Sequence, residues 1–232
     1  MTTQLITPPT ATRSLTLNPL RWSRGTGALV AGIALALMVP LAVFGNFVVI
    51  TGMVTAGDAE KTARTIAESP ALWLAGVVSM FLVVLLDFFA AAGMIALFRD
   101  VHRALSVLAG TARILYGVVF AVAIAQLAVA LTSIDDPRSA LGSIEAFHSI
   151  WMLSLGLFGI SLLLVAYLAI RSGFVPKVLA ILVGIAGLTY LADTIGVTFV
   201  DGFVPVFASF GFVGEVVLIF WLLVKGRRLP PR

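Results

Sequence analysis

The sequence predicts an all-α, polytopic membrane protein: a bundle of six transmembrane helices joined by short loops. Three observations carry that expectation. Sixty per cent of the 232 residues are hydrophobic and 11% are charged, too few charges to cover a soluble domain of that length. Several apolar runs exceed the ~18 residues that mark a membrane-spanning helix. No run shows the ~10-residue alternation of a barrel strand, and the only other way across lipid is a helix.

The elements follow in order. Residues 1–27 form a polar tail that carries Arg13, Arg21 and Arg24. The first span runs over 28–51. It exceeds the ~7–15-residue core of a signal peptide, so it is expected to stay uncleaved despite a cleavage-like VTA at 54–56. Pro40 lies mid-span and predicts a kink. Residues 56–69, AGDAEKTARTIAES, are too polar to cross lipid; they predict a short outer helix capped by Asp58. The remaining spans are 70–98, 105–132, 145–170, 177–199 and 203–224. Pro70, Pro176 and Pro205 stand near span starts, where a missing N–H does no harm. A basic tail, 225–232, ends the sequence. No internal repeat is evident, although span number alone allows an inverted three-plus-three arrangement.

Charge assigns a direction. Lys and Arg gather in alternate connections: the amino-terminal tail, Arg99 and Arg103, Arg171 and Lys177, then Lys225, Arg227, Arg228 and Arg232. The other connections hold Lys61, Arg64 and Arg138 among Asp58, Glu60, Glu68, Asp135, Asp136 and Asp201. The positive-inside rule therefore places both termini in the cytoplasm, and the protein is expected in the inner (plasma) membrane. Trp22 and Trp221 fall at the inner ends, Trp73 near an outer end and Trp151 somewhat deeper, as an interfacial belt would have them.

Several chemistries are missing. The net charge of +4 is scattered between spans rather than gathered into a patch, which does not suggest nucleic acid. The absence of cysteine removes disulfides, thiolate metal sites and cysteine nucleophiles. There is no P-loop, no HExxH and no GxSxG. His102 and His148 are assigned to opposite membrane sides, which argues against a haem between them. All three lysines are at or beyond span ends, which argues against a buried Schiff base. No cofactor, metal site or catalytic residue is expected.

Four ionisable residues remain inside spans: Asp87, Arg113, Asp193 and Glu215. Such residues are costly in lipid and turn toward a bundle interior or a wet cavity. Counted from the inner ends, Asp87 lies about 16 Å deep, Arg113 about 12 Å and Glu215 about 14 Å, which allows one shared layer. Asp193, about 24 Å deep, belongs to an outer polar layer with Asn46, Gln126 and His148. Small residues one turn away mark close helix contact: Gly110 and Gly117 beside Arg113, Ala90 and Ala91 beside Asp87, Gly211 beside Glu215, Thr189 and Gly196 beside Asp193. Arg113 is expected to be held by Asp87, Glu215 or both, with Tyr116 one turn away. The centre reads either as a structural clamp or as a ligand-binding or proton-linked site. His148, three residues after Glu145, reads as an interfacial contact, a pH sensor or a ligand. Asp193, Gln126 and Asn46 either line an outward pocket or bond neighbouring helices.

The carboxy-terminal half, FHSIWMLSLGLFGISLLLVAYLAIRSGFVPKVLAILVGIAGLTYLAD, resembles a bacterial multi-pass membrane family known only as a domain of unknown function, DUF4386. The RSGFVPKVLA turn, a histidine and tryptophan opening the fourth span, the ending GEVVLIFWLLVKG and an arginine early in the third span carry the likeness. It covers residues 25–228 and is strongest from 145 onward. The resemblance implies the same fold and topology, and matches Arg113, His148 and Glu215 to recurrent polar positions. Tyr116 departs from it: the family often has a glutamate there, a role that Asp87 or Glu215 would take over. It implies no activity.

The functional expectation is a small-molecule or ion binding or transport protein with an intramembrane centre at Asp87, Arg113, Tyr116 and Glu215. The alternative is an accessory subunit of a membrane complex whose buried charges clamp helices. An intramembrane enzyme is a third, less supported reading. The partners expected are the lipid bilayer, a small-molecule ligand, and a membrane-protein partner or second copy.

Overall fold

A computed structural model describes residues 21–230, and the side chains of 208–210 are left aside. Arg13 and Arg232 lie outside the described residues. Helices fill the described chain, and no strand occurs in it. Helix α1 is Arg24–Met53, α3 Pro70–Phe98, α4 Arg103–Thr132, α5 Pro137–Ser172 and α6 Lys177–Phe199; these five are long and apolar enough to cross a membrane. The last, α7 (Ala208–Val224), has 17 residues, about 25 Å of helix. The short α2 is Ala59–Glu68.

Local chemistry explains the boundaries. Ser23 caps α1 by accepting from Thr26 N at 3.1 Å. Asp58 caps α2, its Oδ1 2.9 Å from Lys61 N, as the sequence suggests. His102 caps α4 through Nδ1, which accepts from Leu105 N at 3.3 Å. Asp136 accepts from the N–H groups of Arg138 and Ser139 and starts α5 at Pro137, eight residues before the expected span at 145. Its end at Gly173 has φ 72°, a left-handed cap that glycine adopts without strain.

Two elements need comment. Helix α1 runs on past Pro40, and just beyond it widens into a π-helical stretch, Val43–Ile50. The Ser79 hydroxyl of α3 donates to Leu41 O at 2.9 Å where the pattern changes. The final span begins as helix only at Ala208, not at 203. Residues 203–206 stay non-helical around Pro205, and the amides of Val206 and Phe207 are taken by a side chain of α6.

The six long helices form a ring in chain order: α1 packs on α3, α3 on α4, α4 on α5, α5 on α6, α6 on α7, and α7 returns to α1. Glycines allow two of the crossings. A Cβ on Gly27 would stand 2.7 Å from Gly93 O between α1 and α3, and one on Gly159 would stand 2.7 Å from Gly187 O between α5 and α6. Small residues at such points bring backbones together, which is how helices gain contact where lipid removes the hydrophobic drive. Helix α2 lies against α5, with Ile66 buried.

Both described chain ends meet at one end of the ring. Arg24 Nε lies 3.2 Å from Asp100 Oδ2, and Arg99 Nη2 donates to Trp22 O at 2.9 Å. The Arg24 guanidinium sits 5.2 Å above the Phe174 ring, which stacks between Phe98 and Trp221. Trp73 is a correction to the belt expected at the other end. It is fully buried and its Nε1 donates to Leu127 O at 2.9 Å, so it bolts α3 to α4 rather than marking a lipid interface. Trp151 also points inward, stacked on Phe120 and Phe147.

Candidate functional site

The charged centre is built where α3, α4 and α5 meet. Asp87 stands on the face of α3 that also presents Ala90 and Ala91, all buried. Arg113 stands on α4 between Gly110, packed by Ile95, and Gly117, packed by Phe88. Asp87 is 1% exposed and Arg113 3%. The Arg113 Nε donates to Asp87 Oδ1 at 2.7 Å. Its Nη2 lies 2.5 Å from the same oxygen, so two nitrogens converge on Oδ1. Asp87 Oδ2 has no hydrogen-bond partner. The fork of arginine can satisfy both oxygens of a carboxylate in parallel; here it engages one and leaves the other acceptor open.

Aromatic rings enclose the pair. The guanidinium carbon lies 4.8 Å from the centre of the Phe158 ring of α5, a cation–π contact strengthened by the loss of water. Tyr116 packs on Phe158 at 5.0 Å and on Phe120 at 5.7 Å. Phe158 also meets Tyr190 of α6 edge-on at 5.1 Å, and the Tyr190 hydroxyl donates to Glu215 Oε1 of α7 at 2.7 Å. Asp87, Arg113 and Tyr116 are thus brought together. Glu215 stands beside them across Phe158, bonded to Tyr190 rather than to Arg113. Glu215 and Tyr190 are half-buried, unlike the sealed pair.

The members of the expected outer layer stand on four different helices, α1, α4, α5 and α6. Asp193 is 0% exposed and its Oδ1 accepts from Val206 N at 3.1 Å and Phe207 N at 3.2 Å. It caps α7 from a neighbouring helix, where the unpaired amides and the helix dipole favour an anion. Asn46 sits on the π-helical stretch of α1, its Oδ1 buried and unpartnered. Gln126 is half-buried on α4. His148 is half-buried with its ring 5.0 Å from Phe147. Glu145 is exposed and forms no ion pair with it among the described residues. No three His, Asp or Glu side chains converge on a metal position among the described residues. The centre therefore offers hydrogen bonds, charge and aromatic surface.

Sequence reasoning missed Phe158 and Tyr190. Tyr190 had a signal: it lies one turn before Asp193, on a face already marked as interior. Phe158 had none, because one phenylalanine in an apolar helix is not distinguished from its neighbours by composition.

Residues 30–226 match the family described as "Domain of unknown function (DUF4386)". A relative from Archaeoglobus fulgidus, described as an uncharacterized protein, is 35% identical over 153 residues, covering 66% of this chain and 85% of the relative. No solved structure matches the chain. The match spans nearly the whole helical ring, from the first turns of α1 to the end of α7, so the chain belongs to the DUF4386 family.

Proposed function

We propose that this protein binds a small molecule or ion at the Asp87–Arg113 centre, and that transport is the use of that binding. The observation that carries the proposal is Asp87 Oδ2, a buried carboxylate oxygen without a hydrogen-bond partner. Buried polar atoms are nearly always satisfied, and leaving one unmade costs about 1–3 kcal/mol, more for charged groups. An acceptor left open on a buried ion pair suits a guest that offers a hydrogen-bond donor. Phe158 and Tyr116 supply apolar walls, the usual lining of a small-molecule site. The charge pattern supports placement in a bacterial inner membrane with both termini cytoplasmic.

A second reading has its own observation. The pair is sealed, at 1% and 3% exposure, as befits a clamp inside an accessory subunit that works through a partner protein or a second copy. Native mass spectrometry of the gently extracted protein separates the two, with wild type beside Arg113→Ala and Arg113→Lys. A small bound mass on the wild type that both variants lose supports binding, because lysine keeps the charge but not the fork. A bare wild type, or a protein partner that Arg113→Ala sheds, moves the function to the clamp.

A further inference from the structure

Glu215 breaks the pattern that the other inward acids keep. Asp87 has Arg113, and Asp193 has the amides that start α7. Glu215 forms no ion pair among the described residues; its hydrogen bond is the one from the Tyr190 hydroxyl at 2.7 Å. It lies about 10 and 14 Å from the two ends of α7 at 1.5 Å per residue, so it is near the membrane middle. It belongs to the inward stripe of α7 with Gly211, Gly214, Leu218 and Leu222, all buried, yet is itself only half-buried. The outward stripe of Phe212, Val213, Val217 and Phe220 is exposed. An ionised carboxylate at that depth without a counter-charge is expensive, whereas the neutral acid is not. A carboxyl that is half-buried, unpaired and held by a neutral donor can change charge without breaking an ion pair.

We propose that Glu215, with Tyr190 as its hydrogen-bond donor, is a proton-exchange site in the middle of the membrane. The step balances by itself. The carboxylic acid gives its proton to water and leaves a carboxylate whose Oε1 keeps the Tyr190 hydroxyl; the reverse step takes a proton from water. The groups that act on Glu215 are Tyr190 from α6, Arg113 and Tyr116 from α4, and Asp87 from α3. Asp193 of α6 lies one turn beyond Tyr190, and α1 carries no titratable residue past Arg24. The inference goes beyond solute binding: Glu215 exchanges its proton whether or not Asp87 and Arg113 hold a guest.

The test is labelling of the wild-type protein in membranes with dicyclohexylcarbodiimide, a hydrophobic reagent that needs a protonated carboxyl, from acidic to alkaline pH. The adduct is located by peptide mass mapping. The expected result is an adduct on Glu215 and none on Asp87, falling as pH rises and missing in Glu215→Gln. In Tyr190→Phe the labelling should persist to higher pH, because a hydrogen bond that favours the charged form is gone. An adduct yield on Glu215 that is zero at every pH, or that does not change with pH, overturns the proposal. A bare wild type in native mass spectrometry would remove the solute reading and leave this one standing.

Discussion

The α3–α4 pair and the α6–α7 pair carry their intramembrane acids in opposite ways. Asp87 is neutralised by a cation, sealed from every side and braced by the Phe158 ring above Arg113. Glu215 has a neutral tyrosine for a partner and stays only half-buried. The first arrangement is rigid, because either charge without the other is stranded. The second is tolerant, because losing the charge strands nothing. One bundle thus holds a sealed ion pair and an acid without a counter-charge, with Phe158 touching Arg113 on one side and Tyr190, the partner of Glu215, on the other.

The largest effect should come from breaking the fixed pair. Arg113→Ala or Asp87→Ala should each cost about 3–5 kcal/mol of stability in detergent, because each leaves an uncompensated buried charge. The double variant should recover part of that loss, a coupling read from a thermal-unfolding double-mutant cycle. Strictly additive losses would mean that the two charges do not hold each other. Next, Gly159→Ala should cost about 1–3 kcal/mol, because its new Cβ meets a backbone carbonyl that cannot yield. A loss of that size would locate the rigidity of the α5–α6 crossing in backbone contact, in reach of Phe158.

Asp193→Ala should cost about 1–2 kcal/mol, the price of a helix cap. The loss should appear as faster amide exchange confined to the first turn of α7, which would show that the helix carrying Glu215 is anchored at its start. The smallest effect should come from Glu215→Gln, below about 1 kcal/mol, since an amide oxygen still accepts from Tyr190 and no cation loses its partner. A loss as large as that of Asp87→Ala would erase the contrast and make Glu215 a second fixed charge.

The archaeal relative widens the sequence-level picture, because the resemblance was framed around bacteria and the similarity extends to Archaeoglobus fulgidus. Spans two, three and five were legible within a few residues, since apolar length marks them. The start of the last span was not. Residues 203–207 are as apolar as the helix that follows, and only the tertiary placement of Asp193 shows where their first amides go. Trp73 was misjudged for a related reason. A tryptophan near a span end reads as interfacial from position alone, while its actual partner, Leu127 O, lies on another helix.

The sequence by itself determined that this chain crosses a membrane as helices, that its basic connections share one side, and that Asp87, Arg113 and Glu215 sit at similar depth. Those are properties of apolar run length, charge position and the constant rise of a helix. Only the tertiary structure decided that Arg113 takes Asp87 and leaves Glu215 to Tyr190. Depth is a one-dimensional coordinate that a sequence carries. Pairing across a ring depends on how far each helix is rotated and which neighbours it touches, and packing settles that through residues as silent as Gly159 and Phe158.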